Sequence, residues 1–155
     1  MLELGKRGSA GVDEDAMPVL SHDVVVATLY PSDTGTRAVV AGREWLFGPT
    51  RVATWGRLVA DPPDTTRVVV HGIHGKKWWA RAARFQLEGT TLEMEARRWW
   101  RPGMAFTVDG RAVGRSGLRW GLQLRPTLTV GAELPLDHQV FVLWTLWNIH
   151  QESGS

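Results

Sequence analysis

Residues 105–115 run Ala105-Phe106-Thr107-Val108-Asp109-Gly110-Arg111-Ala112-Val113-Gly114-Arg115. Phe106 and Val108 share one face, Val113 joins it across Asp109-Gly110, and Arg111 and Arg115 bracket it. Asp-Gly between alternating strands is a strong hairpin signal, because a primed two-residue turn needs positive φ and glycine adopts it at no steric cost. The stretch therefore predicts a hairpin with one buried and one wet face.

The same pattern recurs along the chain with a period of 21 residues. Trp78-Trp79, Trp99-Trp100 and Trp120 keep that step, as do the preceding cations Lys77, Arg98 and Arg119. Gly89, Gly110 and Gly131 share it, with Phe85 and Phe106, and with Leu92, Val113 and Leu134. Several residue classes in one register define a repeating unit of cation, aromatic, alternating strand and glycine turn. Upstream, Val24 to Leu29 forms a first strand, Arg37 to Phe47 is β-rich up to Gly48-Pro49, and Arg51 to Val59 alternates up to Asp61-Pro62-Pro63-Asp64. A further strand begins at Arg67. About nine or ten strands must hide their edges, and closure into a barrel does so, a two-sheet sandwich being the other solution.

After Gly131 the period changes. Pro135 suits a first helical position and Asp137 the positive helix end, so a helix is expected over about residues 135–150. From Val140 to Ile149 it has almost no polar face, which calls for burial nearly all round. The predicted fold is a mostly β antiparallel meander, closed into a barrel of hairpin repeats around one apolar C-terminal helix. Residues 1–16 mix glycine, serine and acids without periodicity and are expected to be a mobile tail, leaving 17–155 as a single domain.

The 155 residues include no cysteine, which excludes disulfide frameworks, thiolate metal sites and thiol nucleophiles and fits a reducing, cytoplasmic setting. Val140–Ile149 falls short of the roughly 20 residues of helix that cross a bilayer, so no transmembrane segment is expected. Net charge is +2 but uneven: residues 1–35 carry two Lys or Arg against six acids, net −4, and residues 76–125 carry 11 against four, net +7. Such a basic middle favours anionic partners.

Aromatic-plus-basic strand starts, the Asp109–Arg115 stretch, the Leu134-Pro135-Leu136 turn and the apolar helix after it resemble small bacterial members of the Tubby C-terminal-like superfamily. That superfamily includes the phospholipid scramblases and the LURP-one-related proteins. The resemblance spans roughly residues 37–150. It implies a 12-stranded barrel around a hydrophobic C-terminal helix, and tilts the function toward phosphoinositide-like headgroups without carrying over any residue. Similar bacterial chains close the helix with arginines, whereas here Asn148-Ile149-His150-Gln151-Glu152 follows.

Enzyme chemistry finds little footing. His71 and His74 are three apart, so a regular strand sends their rings to opposite faces, and no acid or cysteine completes a zinc site. Glu93 and Glu95 share a strand face, but nearby Arg97, Arg98 and Arg111 point to cross-strand ion pairing over acid–base work. Ser116 lies in no nucleophile elbow, and no phosphate-binding loop is present. No enzyme activity, metal or cofactor is expected. The tryptophans of the repeat are first of all core, since they share the period of the fold. Neighbours on a strand face opposite ways, however, so one of Trp78/Trp79 and one of Trp99/Trp100 is expected outside among Lys76, Lys77, Arg97, Arg98 and Arg101. Those nine residues form the candidate binding surface. Its expected partner is anionic phospholipid at the inner membrane surface; a protein partner and single-stranded nucleic acid are the alternatives.

Overall fold

A computed structural model describes the backbone of residues 1–48, 54–74, 82–98, 101–119, 125–131 and 133–153, and the side chains among them except at 72–74, 97–98, 101–102, 119 and 150–153. The described residues form twelve strands and one helix. The strands are β1 (Leu2–Leu4), β2 (Met17–Ser21), β3 (Val24–Ser32), β4 (Gly35–Val40), β5 (Arg43–Gly48) and β6 (Thr54–Leu58), then β7 (Val68–His74), β8 (Ala82–Leu87), β9 (Thr90–Arg98), β10 (Arg101–Val108), β11 (Arg111–Arg119) and β12 (Arg125–Val130). The helix α1 spans Leu136–Ser153. Each strand pairs antiparallel with the next, and β1 pairs with β12 to close the barrel.

The hairpins follow local chemistry. Among the described residues, Glu88-Gly89 and Asp109-Gly110 are two-residue turns with positive φ at both positions, as their sequence predicts. Two further turns of this kind were not legible. Ala41-Gly42 splits the β-rich 37–47 stretch into β4 and β5, and His22-Asp23 joins β2 to β3, so the strand at Val24 is the third, not the first. Alanine and histidine at positive φ carry little turn signal of their own; tertiary pairing imposes the turn. Gly131 leaves the repeat by ending β12, where its amide donates to the Val113 carbonyl at 3.1 Å.

Residues 1–16 are not the tail their composition suggests. Leu2 and Leu4 flank Glu3 in β1, lie 4% and 0% exposed, and pair with β2 on one side and β12 on the other. The connection to β2 is held by main-chain bonds from Gly5 to Pro18 and from Gly8 to Ala16. Three residues are too few to show a period, yet without them the edges of β2 and β12 would stay unpaired.

The helix fills the barrel. Phe141 packs its ring on Phe47 of β5 and Phe85 of β8, with centroids 5.2 and 6.2 Å apart. Trp144 packs on Phe47 at 5.2 Å and donates its indole N–H to Thr36 Oγ1 of β4 at 3.0 Å. The helix also packs on β12 and β1, so strands from around the barrel reach it. Val140 through Leu146 are all buried. Their two polar neighbours turn back on the helix itself: Thr145 Oγ1 donates to the Phe141 carbonyl and Asn148 Nδ2 to that of Trp144. No described helix is long and apolar enough to cross a membrane.

Candidate functional site

The barrel has two unlike ends. At one stand the turns at 22–23, 41–42, 88–89 and 109–110 and the first turn of α1. Toward the other run the last residues of β7, β9 and β11 and the first of β8, β10 and β12, namely His74, Arg98, Arg119, Ala82, Arg101 and Arg125. Register sets Arg98 opposite Arg101 and Arg119 opposite Arg125. These arginine positions fall at the ends of four consecutive strands, β9 to β12. Arg125, 29% exposed at its side chain, stands 3.9 Å from the Glu3 carboxylate.

Comparison with protein families, curated proteins and solved structures finds no match to this chain.

Of the nine residues expected at the binding surface, Arg97, Arg98 and Arg101 are placed by their backbone at this arginine-bearing end. Lys76, Lys77, Trp78, Trp79, Trp99 and Trp100 lie outside the described residues. The connection carrying exposed Asp13, Glu14 and Asp15 leaves β1 and enters β2 at the same end, beside β12, so acidic and basic arcs adjoin. Arg125 is not among the expected site residues, because only barrel closure brings β12 and the acidic β1–β2 connection side by side.

The outer wall below the arginines carries the remaining candidates. Glu93 is held by Arg84, whose Nη2 donates to Oε1 at 3.2 Å across the β8–β9 pair. The expected partnership with Arg111 does not form, since Arg111 pairs with Glu133 at 3.0 Å. A carboxylate finds the cation directly across its strand, and the sheet register makes that Arg84. Glu95 faces Ala82 and Ala105 across its two neighbours. His71 and His74 are separated by an irregularity in the β7–β8 register, and no group of three metal-ligating side chains occurs among the described residues. Ser116 has a structural task. Its Oγ accepts the Met104 amide at 2.9 Å where β10 bulges at Gly103, whose φ of 142° and close approach to the Ser116 carbonyl leave no room for a Cβ.

The turn end is closed by ion pairs. Arg67 grips Asp61 with two hydrogen bonds, Nε to Oδ2 at 2.6 Å and Nη2 to Oδ1 at 3.2 Å, and reaches Glu88 at 3.2 Å. Glu88 in turn lies 3.0 Å from Nε2 of buried His138 in the first turn of α1. Arg43 closes the mouth beside them, 3.0 Å from Asp137. The β6–β7 connection, the β8–β9 turn and the helix are thus tied in one chain of charges. Burial pushes the Glu88 carboxyl up, but the contacts with His138 and Arg67 outweigh it and hold it below its ordinary 4.5. The Arg67 hydrogen bonds, against some desolvation, hold Asp61 below its ordinary 3.8.

Depressed carboxylates stabilise the fold above their unfolded values and stop doing so as pH falls through the folded ones. The urea midpoint should therefore hold steady above about pH 5 and decline below about pH 4. Glu88→Gln should lower stability at neutral pH by about 1 kcal/mol, after allowance for partial exposure, and flatten that acid slope. An acid slope unchanged in the variant would show that Glu88 is not its source.

Proposed function

We propose that the protein is a non-enzymatic binding module whose arginine-bearing barrel end engages anionic phospholipid headgroups. The observation that carries this reading is the register of Arg98 with Arg101 and of Arg119 with Arg125. Four arginines at the ends of consecutive strands concentrate positive charge at this end of the barrel, which suits phosphate. The sequence adds Lys76, Lys77, Trp78 and Trp79 between β7 and β8, and Trp99 and Trp100 between β9 and β10, residue types suited to a lipid interface. Support also comes from the strand number and the C-terminal helix enclosed by the barrel, which agree with what the Tubby-like resemblance implies. The helix fills the interior, so recognition belongs to the outer surface.

Flotation with vesicles of graded anionic content tests the proposal. Binding should rise with anionic fraction and fall with salt. Each basic residue near such a surface contributes about 1 kcal/mol, so Arg98→Gln with Arg101→Gln should weaken partitioning by roughly 30-fold. Equal binding to neutral and anionic vesicles would overturn the reading. Salt-sensitive binding to single-stranded oligonucleotides with none to vesicles would transfer the surface to nucleic acid.

A further inference from the structure

On the outer wall of β7, β8 and β9, next to the arginine-bearing end, lies a hollow of about 460 Å³ lined by His71, Ala82, Arg84, Glu93 and Glu95, with inward-facing Ala83 and Met94 beneath. Its side chains form two poles. His71 is directly across from Arg84, and Arg84 directly across from Glu93. The guanidinium spends one of its five donor positions on Glu93, and His71 has no hydrogen-bond partner among the described residues, so this side can donate to an oxyanion. Glu95 is two residues further along the same face. Both of its cross-strand neighbours are alanines, and it too has no ion-pair or hydrogen-bond partner among the described residues. Its carboxylate is left as an acceptor for a cation. Diagonal neighbours of this kind stand roughly 7–8 Å apart, a span within reach of the two charges of a small zwitterion.

The geometry points to a subsite for an aminoalkyl phosphate, with the phosphate at His71 and Arg84 and the primary ammonium at Glu95. A purely basic hollow would take any anion; the Glu95 carboxylate gives this one a reason to select for a hydrogen-bonding amine beside the phosphate. The subsite rests on the anionic-lipid reading for its place at the membrane, and it narrows the headgroup to the phosphoethanolamine type.

The test uses the full chain and two vesicle sets with equal phosphatidylglycerol, one diluted in phosphatidylethanolamine and one in phosphatidylcholine, whose quaternary ammonium has no N–H. Soluble O-phosphoethanolamine is titrated in parallel while backbone amides are followed by NMR. Partitioning should favour the ethanolamine vesicles by about two- to fivefold, the range of an exposed ion pair. Glu95→Gln should abolish that preference, so that the ethanolamine and choline sets bind alike. O-phosphoethanolamine should shift the amides of His71, Arg84 and Glu95. Binding to both vesicle sets without preference, or a preference that survives in Glu95→Gln, would overturn the subsite and leave the broader lipid reading standing. No vesicle binding together with those amide shifts would support the subsite for a free ligand and overturn the lipid reading. No response in either arm would overturn both.

Discussion

Phe141→Ala should cost about 3–5 kcal/mol of unfolding free energy, the range for removing a fully buried phenylalanine. Phe141 is 0% exposed, and its ring meets Phe47, Phe85 and Trp144 at centroid distances of 5.2, 6.2 and 6.0 Å. These partners come from β5, β8 and the helix itself, so no single neighbour can move in to fill the space without dragging a barrel wall. The lost ring contacts add to the lost burial, since each aromatic pair contributes about 0.5–1.5 kcal/mol beyond its area. Domains of this size have only about 5–15 kcal/mol in total. The variant should thus show a large drop in its urea midpoint, and Trp147→Ala, at a half-buried position, a smaller one. A Phe141→Ala loss below about 1 kcal/mol would mean that the helix is not enclosed by strands.

The second large effect concerns the N-terminal strand. Removing Leu2–Leu4 while keeping Met1 should destabilise the protein by about 3–6 kcal/mol, because two leucines at 4% and 0% exposure are lost from the core at about 1.5–3 kcal/mol each. Deletion also strips the partner from β2 and from Thr127 and Leu128 of β12. Two unpaired edges then face water, and edge-to-edge association should follow, visible as higher-order species in size-exclusion chromatography. A mobile tail could be cut away with no change in midpoint or association. That neutral outcome would remove β1 from the barrel.

These two results probe what was and was not legible in the residues. Asp109-Gly110 and Glu88-Gly89 announce their turns because glycine at positive φ is a local property, and Phe85 and Phe106 repeat because each hairpin inserts the same rung into the same core. The helix declared its burial through an apolar surface with no polar face. Its two internal polar residues proved compatible with that burial because each bonds to the backbone one turn back. By contrast, Leu2–Leu4 could not be seen as a strand, since three residues hold no period and their stabilisation comes from partners at the far end of the chain. Ala41 and His22 gave no turn signal, because the pairing of their flanking strands forces their φ.

The candidate site divides along the same line. Its cation excess and its nearby tryptophans are properties of composition and spacing, readable without coordinates. That Arg98 opposes Arg101, that Arg119 opposes Arg125, and that Glu93 answers to Arg84 and not Arg111 are matters of register. Register depends on the whole sheet closing at once: a one-residue slip would send every side chain to the other face. The sequence by itself therefore determined a meander of hairpins with one apolar helix and a basic middle, because glycine turns, alternation and charge are local. Only the tertiary structure decided that β1 closes the barrel, that ion pairs seal the helix entrance, and that Glu95 shares an outer face with Arg84 and His71, because each depends on residues brought together by the pairing of strands.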